Sequence, residues 1–448
     1  MVMSNKETFP AIQTGTTQID YKNGTRTDQT NMAYDFYTGS VTQTITADSY
    51  GNRFISVATP AYMAGFANGG ISTLTYPALG LKTHDDDQGA VQHEQMLTPQ
   101  ASNYTFTIDA NNNKIGVVTA TAQTWSNTIP VLDPNGNASS VYEDNIWRMG
   151  SNYNWMPVGS STNNVQPYST FADYYGTTNG GSSNSSWKQT SQITQYNVYS
   201  VALEATDINN NYAATRMGYG NSKVLITGSN ARYNEIAYAG VEDHTLGEGN
   251  FSSQIWGGSG SVVTDSTKAH TGVNSLMIPA GEYGFTYTVP VSLLNPVAQN
   301  YSVSVWVKPS VAGGSVNLAA LYYQVGSGAV VTPPQAYNKV ANGCYLLEMT
   351  IPAAALAVGG NLVVGCSNGS AGNLYFDDFR FQPSSASTTA YVYDQKTGEL
   401  TYIIGNNNLY TRFQYDAIGR LVRTYKEVLG KANVPLIKAI NYNYGRGN

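Results

Sequence analysis

Charge is what this sequence has least of. Asp, Glu, Lys and Arg make up 12% of its 448 residues, about half the usual share near 25%. The 23 Lys and Arg against 29 Asp and Glu leave a net charge of −6 with no basic run. A diffuse negative balance offers no electrostatic footprint for nucleic acid or an anionic membrane, which makes both weak candidates as partners; no nucleic acid partner is expected. Cysteine is scarce too: Cys344 and Cys366 are the two there are, too few for a disulfide framework. Spaced 22 residues apart in a strand-rich stretch, they fit either one bridge or two buried thiols acting as small apolar residues. No apolar run reaches the roughly 18 to 20 residues of a membrane helix. The longest candidate, Ile351 to Val364, is broken by Gly359 and Gly360. The opening Met1-Val2-Met3-Ser4-Asn5-Lys6 has no apolar h-region, so the reading is of a processed or excised part of something longer.

Catalytic signatures are equally sparse. The four histidines are His84, His93, His244 and His270. No G-x-S-x-G elbow, P-loop, G-x-G-x-x-G or H-E-x-x-H accompanies them. His84-Asp85-Asp86-Asp87 with His93-Glu94 is the one cluster resembling metal ligands. Without an EF-hand loop or helical His spacing, a solvated acidic loop accounts for it. His244, in Glu242-Asp243-His244, fits a surface turn. The expectation is a protein that is not an enzyme and holds no cofactor.

What the chain does have is Tyr, 34 of them, and a polar load carried by Ser, Thr, Asn and Gln. Its 44 Gly and 17 Pro are near average usage, which excludes collagen-like and Pro/Gly-rich disordered classes. The length suits about three domains. Strand patterns dominate: Tyr104, Phe106 and Ile108 alternate with polar residues, and Val41–Thr46 and Lys223–Thr227 are β-branched runs between turn formers. No dozen-residue segment carries a 3.6-residue apolar stripe, so the fold class is all-β.

One turn recurs, an Asp with two or three residues between it and a Gly or Asn. It starts at Asp48, Asp109, Asp133, Asp207, Asp394 and Asp416. Asp accepts hydrogen bonds from the backbone just ahead, and Gly or Asn tolerates the positive φ of a hairpin turn. The last two copies form a repeat. Tyr393-Asp394 and Tyr415-Asp416 are 22 residues apart, and their turn glycines Gly398 and Gly419 are 21 apart. Ile440-Asn441-Tyr442-Asn443-Tyr444 starts a third unit. A period near 20 with strand, turn and strand per unit marks a repeat array.

These residues resemble YD repeats, the unit of the bacterial Rhs family and of the related teneurins, over about residues 388 to 448. The resemblance implies a β-sheet winding into a hollow shell, in a large secreted bacterial surface protein. It assigns Tyr393, Asp394, Gly398, Tyr415, Asp416, Gly419 and Arg420 to structural turns and their flanks. Tyr34-Asp35-Phe36-Tyr37-Thr38-Gly39 and Asp207 to Gly220 resemble the N-terminal parts of such proteins more loosely. A middle block differs. Lys268-Ala269-His270-Thr271-Gly272-Val273-Asn274-Ser275-Leu276, Tyr301 to Lys308, and Leu374 to Phe381 resemble, in order, the strand entry, central strand and closing strand of jelly-roll carbohydrate-binding modules, a resemblance that gives His270 a structural place. The expected organisation is therefore a shell-like region over 1–245, an inserted jelly roll over 246–383 and YD repeats over 384–448.

The second resemblance implies two candidate sites. Glu248, Asp377 and Asp378 would hold a structural calcium, or the Asp pair would merely cap a strand end. Alternation places Val303, Val305 and Val307 on one face and Trp306 on the other. An outward Trp306 would stack on a sugar with Tyr322, Tyr323, Tyr337 or Tyr345 helping; otherwise it packs against a neighbouring strand or the shell. The expected function is structural and interactive: part of a β-shell for surface display, adhesion or cargo enclosure. The alternatives are a carbohydrate-binding adhesin using the jelly roll, and a toxin-delivery shell with its toxin beyond residue 448. Expected partners are the remainder of a larger parent polypeptide and glycans, and the expected location is extracellular.

Overall fold

The structure, a computed structural model, describes residues 12–64, 96–133, 136–138, 146–157, 165–176, 184–244, 250–295 and 298–442. The fold is all-β, with helix among the described residues limited to short 3₁₀ turns. Two compact units form, one from 1–129 with 140–193 and one from 130–139 with 194–448.

The first unit is an antiparallel meander. Gly15–Asp20, Thr25–Tyr34, Val41–Asp48, Arg53–Pro60, Gln100–Ile108 and Lys114–Ser126 pair in chain order, and Arg148–Trp155 adds to the last. Alternation carries Tyr104, Phe106 and Ile108 into a core with Val117, Trp155 and Trp187. Asp side chains build the turns as the recurring pattern requires. The Asp48 carboxylate accepts the backbone N–H groups of Tyr50 and Asn52 at 2.9 Å each. Asp109 does the same for Asn111 and Asn113 at 2.8 Å.

The second unit holds a longer meander and a sandwich. Ala202–Asp207, Tyr212–Gly218 and Lys223–Ser229 pair in sequence. Lys223–Ser229 then pairs with Ser387–Tyr393, Ile226 opposite Ala390, although some 160 residues separate the two strands. The meander continues through Leu400–Ile404, Tyr410–Tyr415, Leu421–Lys426 and Leu436–Ala439. Two of its turns begin with Asp394 and Asp416, whose carboxylates accept the N–H groups of Lys396 and Thr397, and of Ile418 and Arg420. Gly398 and Gly419 follow at φ +72° and +78°, a region costly to residues with a Cβ.

While Ala231, Tyr233, Ile236 and Tyr238 pack into the hairpin core, most of the described chain between those two paired strands forms the sandwich. Its larger sheet runs Ser261–Thr264, Asn274–Ile278, Leu374–Pro383, Tyr301–Pro309, Cys344–Ile351, Val340–Ala341. Ala237–Ala239 also pairs onto Leu374–Pro383, so this sheet recruits residues ahead of 246. The smaller sheet runs Asn250–Phe251, Ile255–Trp256, Tyr283–Pro290, Asn361–Asn368, Ala319–Val325. Their facing sides bury Phe285, Phe376, Phe379, Phe381, Val303, Val305, Val307 and Leu347 in one core. Each such side chain is worth about 1.5–3 kcal/mol. Cys366 lies in this core and Cys344 in a small cluster with Trp306; both are free thiols.

Candidate functional site

The larger sheet turns its other side toward the hairpins of the same unit, and a buried polar cluster fills the seam. A β-bulge opposite Ser304 and Trp306 puts consecutive residues Asp377 and Asp378 there. Asp378 takes φ +50°. Asp377 accepts the backbone N–H groups of His270 (2.8 Å) and Thr271 (3.1 Å). Asp378 meets His270 Nδ1 at 2.5 Å and accepts the hydroxyls of Thr271 and Tyr238. His270 Nε2 reaches Glu427 at 3.0 Å, beyond the Leu421–Lys426 strand. Burial alone would lower the His270 pKa, but Glu427 and Asp378 raise it to about 9. Burial, with Asp378 alongside, drives Asp377 well above the usual carboxylate range. Burial likewise lifts Glu242 to about 7 and Asp243 to about 6.

This geometry corrects two expectations. Asp377 and Asp378 spend their oxygens on protein donors and His270, so they are not arranged as calcium ligands. Among the described residues no group of three His, Cys, Asp or Glu is arranged to hold a metal ion. Glu248 lies outside the described residues, as do His84, Asp85, Asp86, Asp87, His93 and Glu94. Trp306 is 1% exposed, stacked on His270, with its Nε1–H donated to the Asn408 carbonyl at 3.0 Å. No face of its ring is free for a sugar. The alternation was sound, since the valines do line the core; the opposite face is covered by the turn ahead of Tyr410–Tyr415. Tyr323, Tyr337 and Tyr345 pack against the core rather than away from it.

The outward face of the smaller sheet is built differently. Trp256 sits opposite Thr286, Thr286 opposite Gly365, and Gly365 opposite Tyr322. Directly paired residues share a face, so these four form one row across four strands. The alternate residues Ile255, Tyr287 and Val364 are buried in the core, which fixes the row as outward. Trp256 is 44% exposed at one end. At the other, the Tyr322 ring lies across Gly365, where a Cβ would meet its hydroxyl at 2.6 Å. Tyr322 shares a 3.3 Å hydrogen bond with Thr286 and packs edge-on against exposed Tyr283, centroids 5.3 Å apart. At strand spacings near 4.8 Å, Trp256 and Tyr322 stand roughly 14 Å apart.

An open groove of about 480 Å³ continues from Trp256 along Gly258, Ser259, Gly260, Ser261 and Val262 to His244. Gly258, at φ +60°, lies so close to the Tyr283 carbonyl that a Cβ would stand 2.4 Å from it. Only glycine lets the groove wall run against that strand. Of the residues singled out from sequence, Tyr322 alone reaches this face. Trp256 and Tyr283 were missed. Trp256 ends a two-residue strand before Gly257-Gly258, too short for alternation to be read. Tyr283 precedes a bulge that shifts its register.

No protein-family model matches this sequence, and no curated relative does. Solved structures similar to part of it include carbohydrate-binding modules. The CBM22-1 xylan-binding domain of Paenibacillus barcinonensis Xyn10C is 14% identical over 33% of this chain and 92% of its own, at a TM-score of 0.24. TmCBM61, solved with β-1,4-galactotriose, is 18% identical over 29% of this chain and 87% of its own, at 0.19. CBM6cm-2 of Cellvibrio mixtus lichenase 5A, solved with cellotriose, is 18% identical over 33% and 95%, at 0.19.

Proposed function

We propose that this chain is a non-enzymatic glycan-binding segment, and that the sandwich binds sugar across the outward face of its smaller sheet. The observation that carries the reading is the row Trp256–Thr286–Gly365–Tyr322. An exposed indole offers a flat apolar surface to a pyranose ring, Thr286 beside it supplies a hydroxyl, and the open groove along Gly258–Val262 continues from the indole. Thr288, Gln324 and Ser367 on the same face are also uncharged, which suits a neutral saccharide. The hairpin meander is the scaffold that presents this face. Its Asp-initiated turns support the reading of a piece of a large extracellular YD-repeat surface protein, with the parent polypeptide as a partner. Among the described residues no helix is long and apolar enough to cross a membrane.

The test is calorimetric titration of the full chain with xylohexaose, β-1,4-galactotriose and cellotriose, backed by a broad array of neutral glycans. Saturable binding abolished by Trp256→Ala in a folded protein is expected. A folded chain that binds nothing across that panel would sink the proposal and leave the sandwich as architecture.

A further inference from the structure

The groove that runs from Trp256 along Gly258–Val262 ends at His244, and of the residues lining it only His244 can carry a charge. Histidine is the side chain that gains a positive charge near neutral pH. The imidazole is held in place from two sides. The His244 backbone bridges to Phe251, and the two rings pack together with centroids 5.7 Å apart and planes 66° from parallel. Phe251 is itself buried, while His244 stays partly exposed at the groove. The two acids that precede it in sequence are turned elsewhere. Glu242 accepts the N–H groups of Val273 (2.7 Å) and Asn274 (2.6 Å), and Asp243 accepts that of Ser252 at 3.2 Å.

The rest of the wall is backbone and hydroxyl. A Cβ at Gly258 would stand 2.4 Å from the Tyr283 carbonyl, and one at Gly260 would stand 2.7 Å from the Leu276 side chain. Both positions are thereby held to glycine, and exposed Ser259 and Ser261 supply the hydroxyls. Neither Arg nor Lys lines the groove, so a phosphate or sulfate finds none of the guanidinium or ammonium donors that such groups draw. One imidazole with serine hydroxyls beside it matches a single carboxylate, which accepts from N–H and O–H donors alike. The groove's volume, about 480 Å³, lies within the range of small-ligand sites. Its mouth is the indole where the uncharged row Trp256–Thr286–Gly365–Tyr322 begins.

We propose that this groove takes a uronic acid unit, its carboxylate on His244, borne by the neutral glycan that lies against Trp256. The ligand class is then a polysaccharide with a neutral main chain and uronic acid substituents. The inference rests on the glycan reading above and makes His244 the specificity-determining residue of that site.

The experiment titrates the full chain by calorimetry at about pH 6. The ligands are xylohexaose, β-1,4-galactotriose and cellotriose, each bearing one glucuronic acid, and the same compounds with that carboxyl reduced to a hydroxymethyl group. In at least one pair the acidic form should bind about tenfold more tightly than its reduced partner. His244→Gln should bring the acidic form down to the affinity of the reduced one, and His244→Lys, which restores a cation, should keep the preference. Thermal melts check that both variants fold, and the comparison within the unaltered protein stands without them. Equal affinities for acidic and reduced forms overturn the inference, as does a preference that survives His244→Gln. In either case, binding that is lost on Trp256→Ala leaves the glycan reading in place. A folded chain that binds neither form of any pair sinks the glycan reading, and this inference with it.

Discussion

The imidazole of His270 lies flat on the indole of Trp306, centroids 4.1 Å apart and planes 16° from parallel. Asp378 and Glu427 hold the two ring nitrogens in that plane. A cation over an indole face, paired at both ends, joins the sandwich to the hairpins without a covalent link. His270→Gln removes the charge and leaves two buried carboxylates without their shared cation. The expected loss is about 3–5 kcal/mol in urea unfolding. A loss below about 1 kcal/mol would mean the carboxylates ionise little and the seam rests on packing.

The same cluster sets a direction for pH dependence. The folded pKa values of Asp243 (about 6), Glu242 (about 7) and His270 (about 9) all lie above their ordinary values of 3.8, 4.5 and 6.5. In each case the folded state binds the proton more tightly, so stability falls as pH rises through the interval between the two values. The turn aspartates oppose this at the acid end. Backbone and side-chain hydrogen bonds hold Asp48, Asp109, Asp207 and Asp416 below 3.8, so their contribution is lost only on further acidification. Urea midpoints measured from pH 3 to pH 10 should peak in the weakly acid range, near pH 4 to 5, and decline to pH 9. A midpoint rising between pH 5 and pH 9 would contradict the protonation assigned to the seam.

The two exposed and buried tryptophans of the sandwich separate binding from stability. Trp306→Ala vacates a fully buried indole and its bond to Asn408, at an expected cost of about 3–5 kcal/mol. Trp256→Ala removes a half-exposed ring at a strand end and should change stability by less than about 1 kcal/mol. Thermal melts decide between them. Equal losses for both would mean that Trp256 packs as tightly as Trp306 and is no free platform.

These tryptophans also mark how far the sequence could be read. All-β architecture, Asp-built hairpin turns and the apolar face of Tyr301–Pro309 follow from local patterns, because alternation and turn chemistry are properties of a few consecutive residues. Alternation says that Trp306 leaves the core. It says nothing about what arrives from about 100 residues away to cover it, here the turn carrying Asn408. Trp256 reaches its row through pairing with Tyr283–Pro290 and, beyond it, Asn361–Asn368. That register is a long-range fact with no trace in a two-residue strand. His270, Asp377 and Asp378 were visible as motif residues, but their chemistry depends on Glu427, which no motif linked to them.

Gly419→Val tests the turn reading. At φ +78° the new β-branched side chain faces a strained backbone, and its Cβ would stand 3.1 Å from a Glu399 carboxylate oxygen. The expected cost is about 1–2 kcal/mol. It is confined to the hairpin between Tyr410–Tyr415 and Leu421–Lys426, so hydrogen exchange should quicken there and not in the sandwich. A cooperative loss of the whole unit would show that the hairpins and sandwich fold as one body.

Gly365→Ala probes the floor of the candidate face. A Cβ at this position would stand 2.6 Å from the Phe285 carbonyl and 2.6 Å from the Tyr322 hydroxyl. The Tyr322 ring can swing away, because its far end is the nearer obstacle on that side. The Phe285 carbonyl cannot, because it is backbone of the adjacent strand in the same sheet. The two central strands must therefore part slightly, at an expected cost of about 1–3 kcal/mol. Tyr322 would lift from the sheet and give up its bond to Thr286, while Trp256, two strands away, keeps its place. Glycan affinity should then fall without vanishing, whereas Trp256→Ala abolishes it. Unchanged affinity in a folded Gly365→Ala protein would confine the ligand to the Trp256 end and the Gly258–Val262 groove.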